Sequence, residues 1–119
     1  MTEWKKKLAM AENNETKRVF GMLGLAMKAG KVVIGTEQVI AFLQKKKLRL
    51  VLLSSGSSEG TKKKISSKCE FYRVSQKELK IQTDELGALL GKTYTPAVVG
   101  ITDENFAIAI TKLLDGENA

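Results

Sequence analysis

The stretch Ala29-Gly30-Lys31-Val32-Val33-Ile34-Gly35-Thr36-Glu37-Gln38-Val39 decides the fold, because a short apolar strand passes through Gly-Thr directly into an amphipathic helix. The first N–H groups of such a helix lack intrahelical acceptors and carry the positive end of its dipole. Gly35-Thr36 therefore marks a place where phosphates and base edges can dock. The same turn also serves many α/β folds as plain structure, with Thr36 as an ordinary N-cap.

Upstream, Val19, Phe20, Leu23 and Met27 recur at helical spacing, so the pattern predicts a helix from Glu15, with Asn14 as cap and Gly30 at the C′ position. Gly21 and Gly24 are costly inside that helix unless another backbone packs closely against it. Downstream, Val39, Ile40, Phe42 and Leu43 form the inner face of the helix opened by Thr36, and Lys45-Lys46-Lys47 complements its C-terminus. Leu50-Val51-Leu52-Leu53 reads as a strand covered on both faces. Ser54-Ser55-Gly56-Ser57-Ser58 reads as a flexible loop at the end of that strand, where open α/β sheets receive ligands.

A helix over Thr61 to Ser67 and a strand over Phe71 to Val74 follow, and Ser75-Gln76-Lys77-Glu78 matches a capping box. A further helical segment runs from Thr83 through Leu86, Leu89 and Leu90 to a stop at Gly91. Lys92 to Pro96 is then a loop, Ala97 to Ile101 a strand, and Asn105 the cap of a final helix bearing Phe106, Ile108, Ile110, Leu113 and Leu114. This alternation predicts an α/β fold, a three-layer α/β/α sandwich around a mixed sheet. Residues 1–15, with Trp4 and Leu8 at helical spacing, read as an arm or tail; residues 16–119 read as one domain without internal repeats.

The net charge of +7 and pI near 9.6 direct the chain toward polyanions. The excess lies in the first half, and the local concentrations are Lys5-Lys6-Lys7, Lys45-Lys46-Lys47 with Arg49, and Lys62-Lys63-Lys64. They act as one patch only if the fold brings them to one face. Aromatic residues are only 6% of the chain, which argues against a surface built from several stacked bases. One cysteine, Cys69, excludes an intramolecular disulfide, and a small core residue in a reducing interior is its ordinary reading. No apolar run approaches a membrane span, so the sequence reads as a cytoplasmic protein.

Catalysis has little to work with. The chain has no histidine, which removes the usual general base and the commonest metal ligand, and with a single cysteine it leaves no ordinary zinc site or Cys-His pair. Gly56-Ser57-Ser58-Glu59-Gly60-Thr61-Lys62 lacks Walker spacing. Asp84-Glu85 and Asp103-Glu104 sit at helix starts, where carboxylates serve caps and dipoles. No enzyme, cofactor, metal or small-molecule substrate is expected.

The order Ala29-Gly30-Lys31, apolar strand, Gly35-Thr36, helix, then Thr61-Lys62-Lys63-Lys64-Ile65, Leu86-Gly87 to Gly91, and Ala97-Val98-Val99-Gly100-Ile101 resembles the kink-turn RNA-binding ribosomal protein superfamily. Within it the chain is most similar to the bacterial YlxQ-type members. The resemblance spans Lys17 to Leu114 and implies an α/β/α sandwich that grips sharply bent RNA without chemistry; a monomer is expected. It implies that Gly35, Thr36, Glu37 and Gln38 enter the RNA groove at sheared G·A pairs. It also implies that Lys92, Thr93, Tyr94, Thr95 and Pro96 cover an extruded base. Archaeal and eukaryal members typically follow Gly-Thr with Asn-Glu and place a Lys one turn on; here Glu37, Gln38 and Ala41 stand instead. Lys28, Lys31, Lys62 and Lys63 are expected to meet phosphates beside the Gly35 helix start. A protein-interaction adaptor of the same fold, supported by these departures and by the Trp4 arm, is the alternative.

Overall fold

The computed structural model describes residues 14–117. The expected arm over residues 1–15, with Trp4, Leu8 and Lys5-Lys6-Lys7, lies almost wholly outside the described residues. Nine elements follow in order: α1 (Asn14–Lys28), β1 (Val32–Ile34), α2 (Thr36–Gln44), β2 (Leu50–Ser54), α3 (Glu59–Tyr72), β3 (Ser75–Leu79), α4 (Thr83–Leu89), β4 (Val98–Ile101) and α5 (Glu104–Glu117). The four strands form one mixed sheet in the order β1-β4-β2-β3. β4 runs antiparallel to both its neighbours, and β2 runs parallel to β3.

The continuous apolar run at β2 is buried along its whole length, and strand alternation sends its side chains into two cores. Leu50 and Leu52 join Val99 and Ile101 under α1, α4 and α5, where Val19, Phe20, Leu23, Leu86, Ile110 and Leu114 meet them. Val51 and Leu53 face the other way, onto Val39 and Leu43 of α2 and Ile65 and Cys69 of α3. A one-residue slip of β2 would exchange these sets, so the two covering layers fix the register. The predicted three-layer sandwich around a mixed sheet is the observed architecture.

Four helices end in the same way. Gly30, Lys46, Arg73 and Gly91 sit at positive φ just past α1, α2, α3 and α4. In each, this residue and the next donate back to the last turn, as Lys46 does to the Leu43 carbonyl and Lys47 to that of Phe42. This is the Schellman motif, whose left-handed residue is usually glycine. Gly30 fills the role expected of it; Lys46 and Arg73 hold it with long basic side chains.

Three local expectations give way. Phe71 and Tyr72 complete α3 instead of opening a strand, since Ile65, Cys69 and Tyr72 continue one helix face and Arg73 then turns the chain. Ser75-Gln76-Lys77-Glu78 is edge strand, not a capping box, because register with all five residues of β2 outweighs a local cap. The cap of α5 is Asp103, whose Oδ1 accepts from the Phe106 N–H at 3.0 Å, so Asn105 lies inside the helix.

Gly21 and Gly24 also depart from expectation, because a Cβ at either would meet no heavy atom within 4 Å. Among the described residues no close backbone explains them. Gly21→Ala and Gly24→Ala are each expected to raise stability by about 0.4–1 kcal/mol, read as a higher urea midpoint at unchanged m-value.

Cys69 is core, 1% exposed, and burial pushes its thiol up from 9.0 to about 11. The fold thus favours the neutral thiol, and that contribution is complete below about pH 9 and lost as pH rises through about 11. Native protein near neutral pH is expected to resist iodoacetamide and to react rapidly only once urea unfolds it, a comparison readable by mass spectrometry.

Candidate nucleic-acid interface

Gly35 makes the start of α2. It lies at φ 102, ψ 150, a backbone region that only glycine occupies without strain. Its N–H donates to the Val98 carbonyl at 2.9 Å, and its own carbonyl accepts from Val39 at 2.9 Å. Gly35 is therefore the N-cap and Thr36 the first helical residue, which corrects the reading of Thr36 as cap. No side chain caps the helix. The Thr36, Glu37 and Gln38 N–H groups precede the first intrahelical bond and point along the positive dipole end. Glu37 and Gln38 are exposed, while Gly35 and Thr36 are half-buried.

The loop over residues 92–96 reaches the same end of the sheet, since it leads into the Val98 that holds Gly35. Thr93, Tyr94 and Thr95 are exposed, Tyr94 by 53%; Lys92 is half-buried and Pro96 buried. A Cβ on Gly87 would run into the Tyr94 carbonyl oxygen and stand 3.2 Å from Pro96 Cδ. The absence of a side chain at Gly87 thus lets the loop lie down on α4 and present Tyr94 outward.

The serine-rich segment forms the floor between these parts and is not a free loop. Ser54 closes β2, donates through its hydroxyl to the Ile81 carbonyl, and accepts from Gly56 N–H at 3.0 Å. The Ala97 carbonyl receives the Ser54 N–H at 2.8 Å and the Ser57 hydroxyl at 3.0 Å. Ser54 and Ser57 are buried as a result. Ser58 caps α3, accepting from Thr61 N–H at 3.2 Å. Small hydroxylated residues look flexible in sequence when their cross-strand partners are out of view.

The four expected phosphate lysines do not gather at Gly35. Lys28 and Lys31 lie at the far end of β1, where the Lys31 carbonyl accepts from Thr102 N–H. The Lys62 amino group turns to the β3 edge, 3.5 Å from Glu78 and 3.9 Å from Glu59. Lys63, exposed in the second turn of α3, remains near this end. Apart from α1, the elements here carry Lys62, Lys63, Lys80 and Lys92 against Glu37, Glu59, Glu78, Asp84 and Glu85. The end is mixed in charge, and the α2 dipole adds a local positive potential at the helix start.

The opposite end is different. Among the described residues, that end carries Lys28, Lys31, Lys45, Lys46, Lys47, Arg49, Arg73 and Lys112 against Glu70, Asp103 and Glu104. The lysine triplets therefore do not share a face: Lys45-Lys46-Lys47 belongs to this end, while Lys62-Lys63-Lys64 runs along α3 from the other. Among the described residues no group of three or more His, Cys, Asp or Glu could hold a metal, and no helix is long and apolar enough to cross a membrane.

A sandwich with an uncapped helix start beside a loop that buries Pro96 and exposes Tyr94 defines a binding module. The chain belongs to the ribosomal protein L7Ae/L30e/S12e/Gadd45 family, whose model matches residues 17–110. It is 40% identical over 96 residues to the RNA-binding protein YlxQ of Bacillus subtilis (strain 168), covering 81% of this chain and 94% of that protein. It is 36% identical over 107 residues to the RNA-binding protein YlxQ of Enterococcus faecium, covering 90% and 100%. The solved structure of the 15.5kD RNA binding protein of Giardia lamblia shares the fold with TM-score 0.69 at 13% identity, covering 87% of this chain and 88% of that one. The family resemblance read from the ordered motifs holds.

Gly35→Ala is expected to cost about 1–3 kcal/mol, all of it backbone strain, because a Cβ there meets no heavy atom within 4 Å. Gly87→Ala is expected to shift the amide resonances of residues 93–95 while leaving those of β2 in place. Denaturant melts and an assigned nitrogen–proton spectrum check the pair.

Proposed function

We propose that this chain is a non-catalytic protein that binds structured RNA, with a kink-turn or similarly bent RNA as its target and the ribosome or translation as its setting. The observation that carries the reading is the juxtaposition of the uncapped α2 start, Gly35 to Gln38, with the exposed Tyr94 loop, in a member of this family.

The chemistry follows from the geometry. The open N–H groups of Thr36, Glu37 and Gln38 suit an acceptor on a phosphate or base edge. The Gln38 amide both donates and accepts, as base-edge recognition requires. Tyr94 offers a flat face to a base turned out of its stack, which is how unpaired RNA bases are held. Lys92 and Lys63 supply cationic contacts at this end. Glu37 stabilises the helix start by roughly 0.3–1 kcal/mol and repels nearby phosphates, so it trades affinity for stability.

The deciding measurement titrates the protein against a kink-turn RNA and against a control in which both sheared G·A pairs are replaced, at two salt concentrations. Wild type is expected to prefer the intact kink-turn. Gln38→Ala is expected to erode the preference by roughly tenfold or more, the scale of a well-made base-edge contact, while changing control binding little. Tyr94→Ala is expected to weaken binding by about 1–3 kcal/mol, the scale of one stacked base. Equal binding of both RNAs at all salt concentrations would overturn the kink-turn reading. Binding to neither, with a stoichiometric protein partner surviving nuclease, would establish an adaptor.

A further inference from the structure

We propose that the end of the sheet opposite Gly35 is a second RNA-binding surface, centred on Arg49, that holds the phosphate backbone of a helical RNA segment. Together with the α2 site it would let one chain bridge two RNA elements. The bridging rests on the function proposed above; the Arg49 surface stands without it.

Three shallow clefts meet at Arg49. One of about 490 Å3 is lined by Gly30, Lys46, Lys47, Arg49 and Thr102. Another of about 250 Å3 joins Lys46 and Arg49 to Tyr72 and Arg73. A third of about 380 Å3 runs from Arg49 to Lys112 beside Ile108 and Glu104, whose carboxylate is the one acidic group among the described residues lining the three clefts. Among the described residues the ion pairs engage only Lys62 and Lys77, which leaves these cations facing solvent. Arg49 precedes β2 and Gly35 follows β1 at the other end. The five residues of β2 separate the two ends by roughly 13 Å at about 3.3 Å per residue, too far for one phosphate to meet both.

The backbone argues that these side chains are placed for a purpose beyond helix capping. A basic residue anywhere in the last turn complements the helix dipole. Lys46 and Arg73 instead occupy the left-handed position itself, each at φ 58, where glycine is the unstrained choice. The left-handed turn aims both side chains past the helix ends toward Arg49, into the same cleft. Three helix C-termini converge here, and their partial negative charges of about half a unit each are smaller than the local excess of lysine and arginine. Tyr72 and the 74% exposed Phe71, in edge contact at 4.8 Å, border the surface with aromatic faces suited to ribose or base.

The same strain supplies a clean test. Lys46→Gly and Arg73→Gly remove two charges while relaxing the backbone, so with Arg49→Gln they make a variant whose melting temperature is expected to hold or rise. The control variant removes three exposed cations elsewhere, Arg18→Gln, Lys64→Gln and Lys80→Gln. The probe is a plain 20-base-pair RNA duplex, titrated with each full-length protein over a range of salt. The Arg49-end variant is expected to bind at least tenfold more weakly at low salt. Its log K against log salt slope is expected to be shallower by about 2, on the scale of 0.7–0.9 per lost phosphate contact. The control variant is expected to change the slope by less than half as much. Equal effects of the two variants, or an unchanged slope, would overturn the proposal, as would loss of an acidic protein partner with duplex binding intact.

The kink-turn preference of the Arg49-end variant reports separately on the α2 site. Preserved preference with lost duplex binding supports two surfaces. Lost duplex binding in a protein without kink-turn preference sinks the α2 reading and leaves this one standing.

Discussion

The hydrogen bond from the Gly35 N–H to the Val98 carbonyl ties the start of α2 to the start of β4, and the geometry of the site depends on it. Val98 also pairs with Leu53, and the preceding Ala97 carbonyl takes the Ser54 N–H and Ser57 hydroxyl. One short segment, Ala97-Val98, thus holds the end of β1, the end of β2 and the loop that carries Tyr94. Gly35 makes the arrangement possible by accepting a backbone angle closed to other residues, and Gly87 completes it by letting the loop lie on α4. Gly35, Ser54 and Ser57 are fastened to the sheet and not only to one another.

That fastening bears on how, under the proposed function, an end without a basic excess would recognise RNA. Apart from α1, the elements around Gly35 carry five carboxylates against four amines, so long-range attraction contributes little there. Oriented N–H groups and an exposed aromatic face act only at contact, where shape and hydrogen-bond pattern decide. Recognition of that kind is insensitive to salt compared with phosphate neutralisation.

Much of the fold is legible in the residues. The unbroken apolar run Leu50 to Leu53, the helical spacing of Val19, Phe20 and Leu23, and the glycine stops at Gly30 and Gly91 declare their elements locally. What is illegible depends on partners distant in sequence. Ser75 to Leu79 is a strand because β2 lies beside it, and Ser54 and Ser57 are ordered because Ile81 and Ala97 receive their hydroxyls. The α2 start and Tyr94 loop were visible from motif order, whereas the whereabouts of Lys28, Lys31 and Lys62 required topology. A β-strand reverses which end of the domain its flanking residues occupy, so Lys31 and Gly35, four positions apart, face opposite ways.

This separation gives the charge distribution its logic. If the excess of lysine and arginine stood beside Gly35, it would raise affinity for bent and straight RNA alike, and the contact-range preference would be a smaller fraction of the total free energy. Specificity is a difference of affinities, so a uniform electrostatic gain at the recognition end does nothing for it. On the proposed two-surface reading, the same charge placed across the sheet at Arg49 would add attraction through a second contact, and linking two contacts in one body multiplies their effect without altering either. A domain of this size has only two ends of its sheet to offer. Dividing them as proposed, one for shape and one for charge, would let net basicity and selectivity coexist in a single small fold.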